Sequence, residues 1–123
     1  VVASLGEYGG NVPYTSYNAL KSYIKNNKDT IKKFTNAINK GLDYVSKTDN
    51  KTLAKELMDY FPDMKEDELE KMVERYKSIN AWKKTTYFSE KEFDHMEDIL
   101  IEAKELDKKV PFKDLVDNSF NHE

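Results

Sequence analysis

The residues best suited to hold a small ligand lie in one short stretch near the start of the chain, Tyr8–Tyr17 (YGGNVPYTSY). The stretch combines Gly9 and Gly10 with the aromatic rings and hydroxyl groups of tyrosine, threonine and serine. Rings can cover the apolar part of a small ligand while hydroxyls and backbone groups bind its polar atoms. The same residues suit a tight turn that leads into an edge strand, because Pro13 cannot donate to a β-ladder. Residue chemistry alone leaves both interpretations open.

His95 is a second candidate, because carboxylates flank it in the sequence Phe93–Asp98 (FDHMED). A histidine beside a carboxylate can serve acid–base or metal chemistry. However, no second histidine follows at i+4, and the zinc-binding motif HExxH is absent. The acidic runs Lys65–Glu68 and Glu102–Lys109 lack the spacing and the turn glycine of a calcium loop. We therefore interpret His95 as a solvated or capping residue, and the acidic runs as solvated helix faces.

Arg75 is the only arginine in a chain that takes its other positive charges from lysine. A lone arginine could be kept for a bidentate contact with a carboxylate. The competing interpretation, which we favour, is a structural salt bridge beside the single tryptophan, Trp82. None of the serines lies in a nucleophile-elbow sequence GxSxG, and the glycines near the start fit neither a phosphate-binding loop nor a dinucleotide fingerprint.

Composition excludes several classes of function. The chain has 123 residues, enough for one domain with a modest core, and 38% of them are hydrophobic. Its net charge of -3 is spread along the sequence, which disfavours a nucleic-acid-binding surface. The lack of cysteine excludes disulfides, thiolate catalysis and cysteine metal sites. Because the chain opens with Val1 and not with methionine, we expect a processed product or a piece of a longer protein.

Hydrophobic spacing predicts a mainly α chain. Its longest periodic segment is Asn26–Lys47, where apolar residues recur every three or four positions on one face of a helix. Short strands are predicted at Val1–Leu5 and Val12–Tyr17, and a turn or two of helix before Asn26. Capping boxes at Asp63-x-x-Glu66 and Ser89-x-x-Glu92 predict two later helix starts, and a short last helix is predicted within Phe112–Phe120. The expectation is therefore five or six helices after one or two short N-terminal strands.

Several sequence words, in this order, carry a family resemblance: SLGEYGGNVPYTSY, KSYIKNNKDTIKKFTNAINKG, YFPD, VERYK and VPFKDLVDNSF. They resemble the C-terminal portion of bacterial ABC-transporter solute-binding proteins of the nitrate/sulfonate/taurine (SsuA-like) type. The resemblance runs from Ser4 to Phe120. It implies that the chain is a fragment of an α/β type II periplasmic-binding-protein fold, in which two lobes close on a ligand. Residues 1–25 would form the hinge and cleft strand region, and residues 26–123 the helical part.

The resemblance also implies a function. The ligand-facing residues would be Tyr8, Gly9, Gly10 and Tyr14, and the ligand a nitrate, sulfonate, taurine or thiamin-precursor pyrimidine. The protein would deliver this small-molecule solute to an ABC permease in the membrane, without catalysis, cofactor, metal or nucleic acid. It would lie at the extracellular face of the membrane as a lipoprotein, or in the periplasm. Because a cleft between two lobes cannot be complete in this chain, self-association of the fragment is a further hypothesis.

Two other classes of function remain open. Some relatives of this fold synthesise the thiamin pyrimidine with histidine and cysteine residues, and the absence of cysteine and of a plausible catalytic histidine disfavours that class. The third class is a helical interaction domain that binds no small ligand, which the capping boxes and periodic helices fit equally well.

Overall fold

The structure, a computed structural model, describes residues 8–121. Six α-helices lie wholly within this range: α1 (Lys21–Asn26), α2 (Lys28–Lys47), α3 (Asn50–Leu57), α4 (Glu66–Ser78), α5 (Glu90–Glu102) and α6 (Phe112–Leu115). A 3-10 turn over Met58–Tyr60 extends α3. None of the helices in the described range is both long enough and apolar enough to cross a membrane. The prediction of a mainly α chain is confirmed.

The predicted strand at Val12–Tyr17 is wrong. Residues 10–20 take no regular secondary structure, and no strand forms anywhere in the described part of the chain. A β-strand needs a neighbour with which to exchange hydrogen bonds, and high β-propensity does not supply one. The other predicted strand, Val1–Leu5, lies outside the described residues. The turn of helix predicted before Asn26 is present as α1.

Helix α2 begins at Lys28, two residues after the start of the predicted segment, and ends at Lys47 as expected. Its apolar face remains only partly covered. Phe34 is 43% exposed, and the other members of the face are half-buried: Ile31, Ile38, Leu42 and Val45. The one fully buried residue of α2 is Thr35. The longest amphipathic helix of the chain therefore keeps apolar surface in contact with solvent.

The chain divides into two compact units, one of which is Asn36–Thr85. Its core is built where α3 packs on α4, and the buried apolar residues there are Leu53, Ala54, Leu69 and Val73. Burying a leucine or valine side chain fully contributes about 1.5–3 kcal/mol. The Lys77 ammonium donates to the carbonyl of Thr48 and so ties α4 to the turn that precedes α3.

The starts of α3 and α4 show how local side chains set helix bounds. The Asp49 carboxylate accepts from the backbone N–H of Thr52 at 2.9 Å and caps α3. Helix α4 begins at Glu66, and the capping bond runs from the backbone N–H of Lys65 to the Glu68 carboxylate at 3.0 Å. The helix start predicted from Asp63-x-x-Glu66 is therefore displaced by two residues, and the bond to Glu68 is only half of a capping box, because a lysine side chain cannot accept a hydrogen bond.

The other unit combines the described residues of 1–35 with those of 86–123. Its core is a cluster of three aromatic rings from Phe88, Phe93 and Phe112, with centroids 5.5–6.3 Å apart. Such offset and edge-on ring pairs contribute beyond their buried area. The Asn118 side chain binds both backbone groups of Phe88, accepting from its N–H at 3.1 Å and donating to its carbonyl at 2.9 Å. These contacts fix the two ends of the segment around α5.

Helix α5 starts as predicted and is well anchored. The Ser89 hydroxyl accepts from the backbone N–H of Glu92 at 3.3 Å, so Ser89 is its N-cap. The last helix is shorter than the predicted Phe112–Phe120, because α6 ends at Leu115. After it, the Asp117 carboxylate accepts from the backbone N–H of Ser119 at 2.9 Å and holds a turn in place of a further helical turn.

Candidate functional site

The four residues predicted to face a ligand lie in one short segment at the surface. Tyr8 is 82% exposed and Tyr14 is 96% exposed, while Gly9 and Gly10 are also exposed. Gly10 has a φ of 74°, in the left-handed region that favours glycine. The segment therefore offers two solvated rings separated by a backbone turn. It does not enclose a pocket within the described residues, because both tyrosine side chains point into solvent.

His95 holds the glycine part of this segment against α5. Its ring nitrogen Nε2 lies 2.8 Å from the carbonyl oxygen of Gly9. A carbonyl can only accept, so Nε2 carries the hydrogen and donates it. The ring also lies close to Gly10, since a Cβ built there would stand 3.3 Å from His95 Nε2. The bond joins residues 86 positions apart in the sequence.

Sequence reasoning placed His95 correctly at the surface but missed its partner. The side chain is exposed, as expected of a solvated histidine. The signal that could have linked it to Gly9 was weak. The sequence has only two histidines, and one stands on a helix face with no metal-ligand spacing. No periodicity relates that position to a glycine turn near the other end of the chain.

The tyrosines of the segment separate into two groups. Tyr17 packs edge-on against Phe34 of α2, with ring centroids 4.9 Å apart and planes at 84°. Tyr8 and Tyr14 make no such ring contact within the described residues. Tyr17 therefore has a ring partner although its side chain is still 75% exposed, whereas Tyr8 and Tyr14 have no ring partner within the described range.

A buried carboxylate lies on α5 two residues after His95. Glu97 is only 3% exposed, and its Oε1 accepts from the backbone N–H of Val110 at 2.8 Å. Its Oε2 has no hydrogen-bond partner among residues 8–121. The neighbouring Asp98 pairs with Lys109 at 2.6 Å, and this hydrogen bond raises the pKa of Lys109. Together these contacts hold the 109–110 connector on α5.

The remaining perturbed groups are explained by local structure. Hydrogen bonds from Thr52 lower the pKa of Asp49 at the start of α3, and hydrogen bonds from Ser119 lower the pKa of Asp117. The bond that Tyr44 donates to Glu56, at 2.6 Å, raises the pKa of the tyrosine. These groups cap or join helices and converge on no common centre.

The other sequence candidates lead to no chemical centre in the described range. Trp82 packs edge-on against Tyr76 with ring centroids 5.3 Å apart, as expected of an anchor beside α4. Lys71 pairs with Asp67 one turn apart on α4, which is the arrangement expected of a solvated helix face. Across residues 8–121, no three histidine, aspartate or glutamate side chains come together as metal ligands.

Comparison with curated proteins finds one informative similarity. The chain is 38% identical over 116 residues, or 94% of its length, to the "Putative binding protein YtlA" of Bacillus subtilis (strain 168). The matched region is 35% of that relative, so the chain spans about a third of the length of the curated protein that it matches. No family model and no solved structure matches the chain.

Proposed function

We propose that this chain is part of a solute-binding component of an ABC importer, of the nitrate/sulfonate/taurine type. The observation that carries the proposal is the similarity to a described binding protein across 94% of the chain. The importer role and the ligand class rest on the sequence words that resemble solute-binding proteins. The cargo is a nitrate, a sulfonate, taurine or a thiamin-precursor pyrimidine.

In this proposal the ligand meets the exposed segment that carries Tyr8, Gly9, Gly10 and Tyr14. The exposure of both tyrosine rings supports the assignment, because a ring that stacks on a ligand must first be free of protein contacts. A tyrosine face suits a pyrimidine, and backbone N–H groups of a glycine turn suit an oxyanion. The segment provides one wall, and a second lobe closes over it. Ligand contacts made only in the closed state shift the equilibrium toward closure.

The partners follow from the same proposal. The protein releases its solute to an ABC permease, performs no catalysis, and is tethered outside the membrane as a lipoprotein or lies in the periplasm.

Large exposed apolar side chains support a larger assembly. They include Tyr14, Tyr17 and Leu20, which are 75–96% exposed. When the chain is expressed alone, we expect this surface to drive self-association. A purely monomeric species in size-exclusion chromatography with light scattering would refute that expectation.

A thermal-shift panel on the full-length protein tests the function. The panel contains taurine, alkanesulfonates, nitrate, and amino- and formylamino-pyrimidines. A true ligand at about 100 times its dissociation constant stabilises the folded state by roughly 2.7 kcal/mol, which raises the melting temperature visibly. Stabilisation by one chemical class identifies the cargo. Absence of a shift with every class contradicts the proposed cargo and favours a helical interaction domain.

A matched pair of variants tests the position of the site. Tyr14→Ala should abolish most of the ligand-induced shift, while Tyr60→Ala should leave it unchanged. Both side chains are highly exposed, at 96% and 79%, so neither truncation should alter the melting temperature of the unliganded protein much. Equal ligand responses in the two variants would contradict a ligand site at Tyr14.

A further inference from the structure

We propose that His95 is a positioning residue for the ligand-binding segment, because it fixes the backbone of Gly9 and Gly10 from α5. The inference deepens the proposed function and rests on it for the identity of the segment. Nothing in the sequence comparison assigns a role to His95. Two separate observations carry the inference: a hydrogen bond to one glycine and a close approach to the next.

The hydrogen bond fixes the direction of the peptide group. The donor His95 Nε2 and the acceptor oxygen of Gly9 are 2.8 Å apart, a normal length for an N–H donor and a carbonyl. The carbonyl of Gly9 is thereby directed at the His95 ring on α5. A hydrogen bond from a side chain also prevents the Gly9 peptide from rotating freely, which glycine would otherwise permit.

The close approach explains why the next residue is glycine. A Cβ at Gly10 would lie 3.3 Å from Nε2 and 3.8 Å from Cδ2 of the His95 ring, and its φ of 74° adds a second reason for glycine. A side chain at position 10 would therefore require the His95 ring to shift by a few tenths of an ångström, in addition to the strain of a positive φ. This fit of the ring against the turn is a specific arrangement, whereas a solvated histidine would leave the turn free to vary.

Helix α5 is a suitable anchor for such a contact. It begins at Glu90 after the N-cap Ser89, and it buries Phe93 in the aromatic cluster of its unit. His95 lies two residues after Phe93 and is therefore on a different face of the helix, toward solvent. Through His95, the helix thus fixes the position of the glycine turn. A residue on a rigid element places a binding group more precisely than a loop residue does.

The tautomer of His95 gives a test that needs no ligand. Nitrogen NMR of the imidazole, at a pH where the ring is neutral, should show the proton on Nε2. His95→Ala should move the amide signals of Gly9 and Gly10, whereas His95→Gln, which keeps a side-chain N–H donor, should restore them. Lys91→Ala, an exposed change on the same helix, should leave them in place. A proton on Nδ1, or unchanged glycine signals in His95→Ala, would overturn the inference.

Solute binding by the His95 variants distinguishes a positioning role of this residue from a general contribution to stability. With taurine or a 4-aminopyrimidine as the probe, His95→Ala should weaken binding by about tenfold, which is the effect expected of one lost neutral hydrogen bond. His95→Gln should recover binding to within about threefold of the wild type. Tight binding by His95→Ala would overturn the positioning role. If neither probe binds the wild type, the proposed function fails for these solutes, while the glycine signals still decide whether His95 sets the turn.

Discussion

Substitutions at Glu97 can separate the contribution of its hydrogen bond to stability from that of its buried charge. Its side chain is 3% exposed, one oxygen accepts from Val110, and the other has no partner within residues 8–121. Burying a charged oxygen without a partner costs free energy, whereas the bond to Val110 recovers part of that cost. The structure therefore predicts that the bond stabilises the fold and that the charge does not.

Two substitutions distinguish these contributions. Glu97→Gln keeps an oxygen that can accept from Val110 and replaces the unpartnered charged oxygen by an unpartnered NH2 group; because these two burial costs oppose each other, its free energy of unfolding should stay within about 1 kcal/mol of the wild type. Glu97→Ala removes the acceptor, leaves the Val110 N–H without a partner and opens a cavity. A lost hydrogen bond to a charged group together with a small cavity should cost about 2–4 kcal/mol.

Urea unfolding at neutral pH, followed by circular dichroism, measures both values by linear extrapolation. Asp98→Asn is the matched control, because Asp98 is adjacent in sequence but pairs with Lys109 in an exposed position. Exposed ion pairs contribute little, so this variant should unfold almost like the wild type. If Glu97→Gln is destabilised as strongly as Glu97→Ala, the charge itself stabilises the fold and our reasoning is refuted.

Three further predictions concern other parts of the chain. Leu69→Ala should lower the free energy of unfolding by about 3 kcal/mol in a urea titration, because Leu69 is fully buried; a loss below about 1 kcal/mol would contradict the described core. Asp49→Ala should destabilise the fold through loss of the Thr52 contacts. Those hydrogen bonds lower the pKa of Asp49 from its ordinary value of 3.8. The loss of stability in Asp49→Ala relative to the wild type should therefore be largest at a pH above that ordinary value, and it should shrink as the pH falls through the folded-state pKa. A pH-independent difference would contradict this origin. Gly10→Ala should destabilise its unit by about 1 kcal/mol or more because of its φ of 74°. Gly41→Ala should instead stabilise α2 in thermal unfolding, because no atom lies within 4 Å of the new Cβ. Stability changes of the same sign in the two variants would refute this contrast.

The helices of this chain could be predicted where local sequence and tertiary packing agree. At α5 the N-cap Ser89, the first-turn acid and the apolar spacing all indicate the same start, and the structure begins the helix there. At α4 the sequence predicts a capping box from Asp63, whereas the N-cap in the structure is Lys65. Lysine is a poor N-cap residue, so capping preference favours Asp63. The helix nevertheless begins after Lys65, so capping preference alone does not predict its start.

The errors arose where a long-range partner was required. The segment Val12–Tyr17 has the composition of a strand, but strand formation depends on a neighbouring strand that no local pattern reveals. The contact between Gly9 and His95 is equally invisible to hydrophobic spacing, because it joins positions 86 residues apart. Glu97 entered the sequence analysis only as one of the acidic residues around His95, and nothing in that pattern predicted its burial. Its burial depends on the connector at Val110, which folds back over α5.

The division among the tyrosines gives the proposed ligand site an internal test. Tyr17 contacts Phe34, so its truncation removes packing and should lower stability with or without a solute. Tyr14 is 96% exposed, so its truncation should change stability only when a solute is bound. A ligand-induced gain in stability that is lost in Tyr14→Ala but kept in Tyr17→Ala would therefore place the solute on Tyr14. The reverse result would place the solute on the packed aromatic pair and would contradict Tyr14 as the stacking residue.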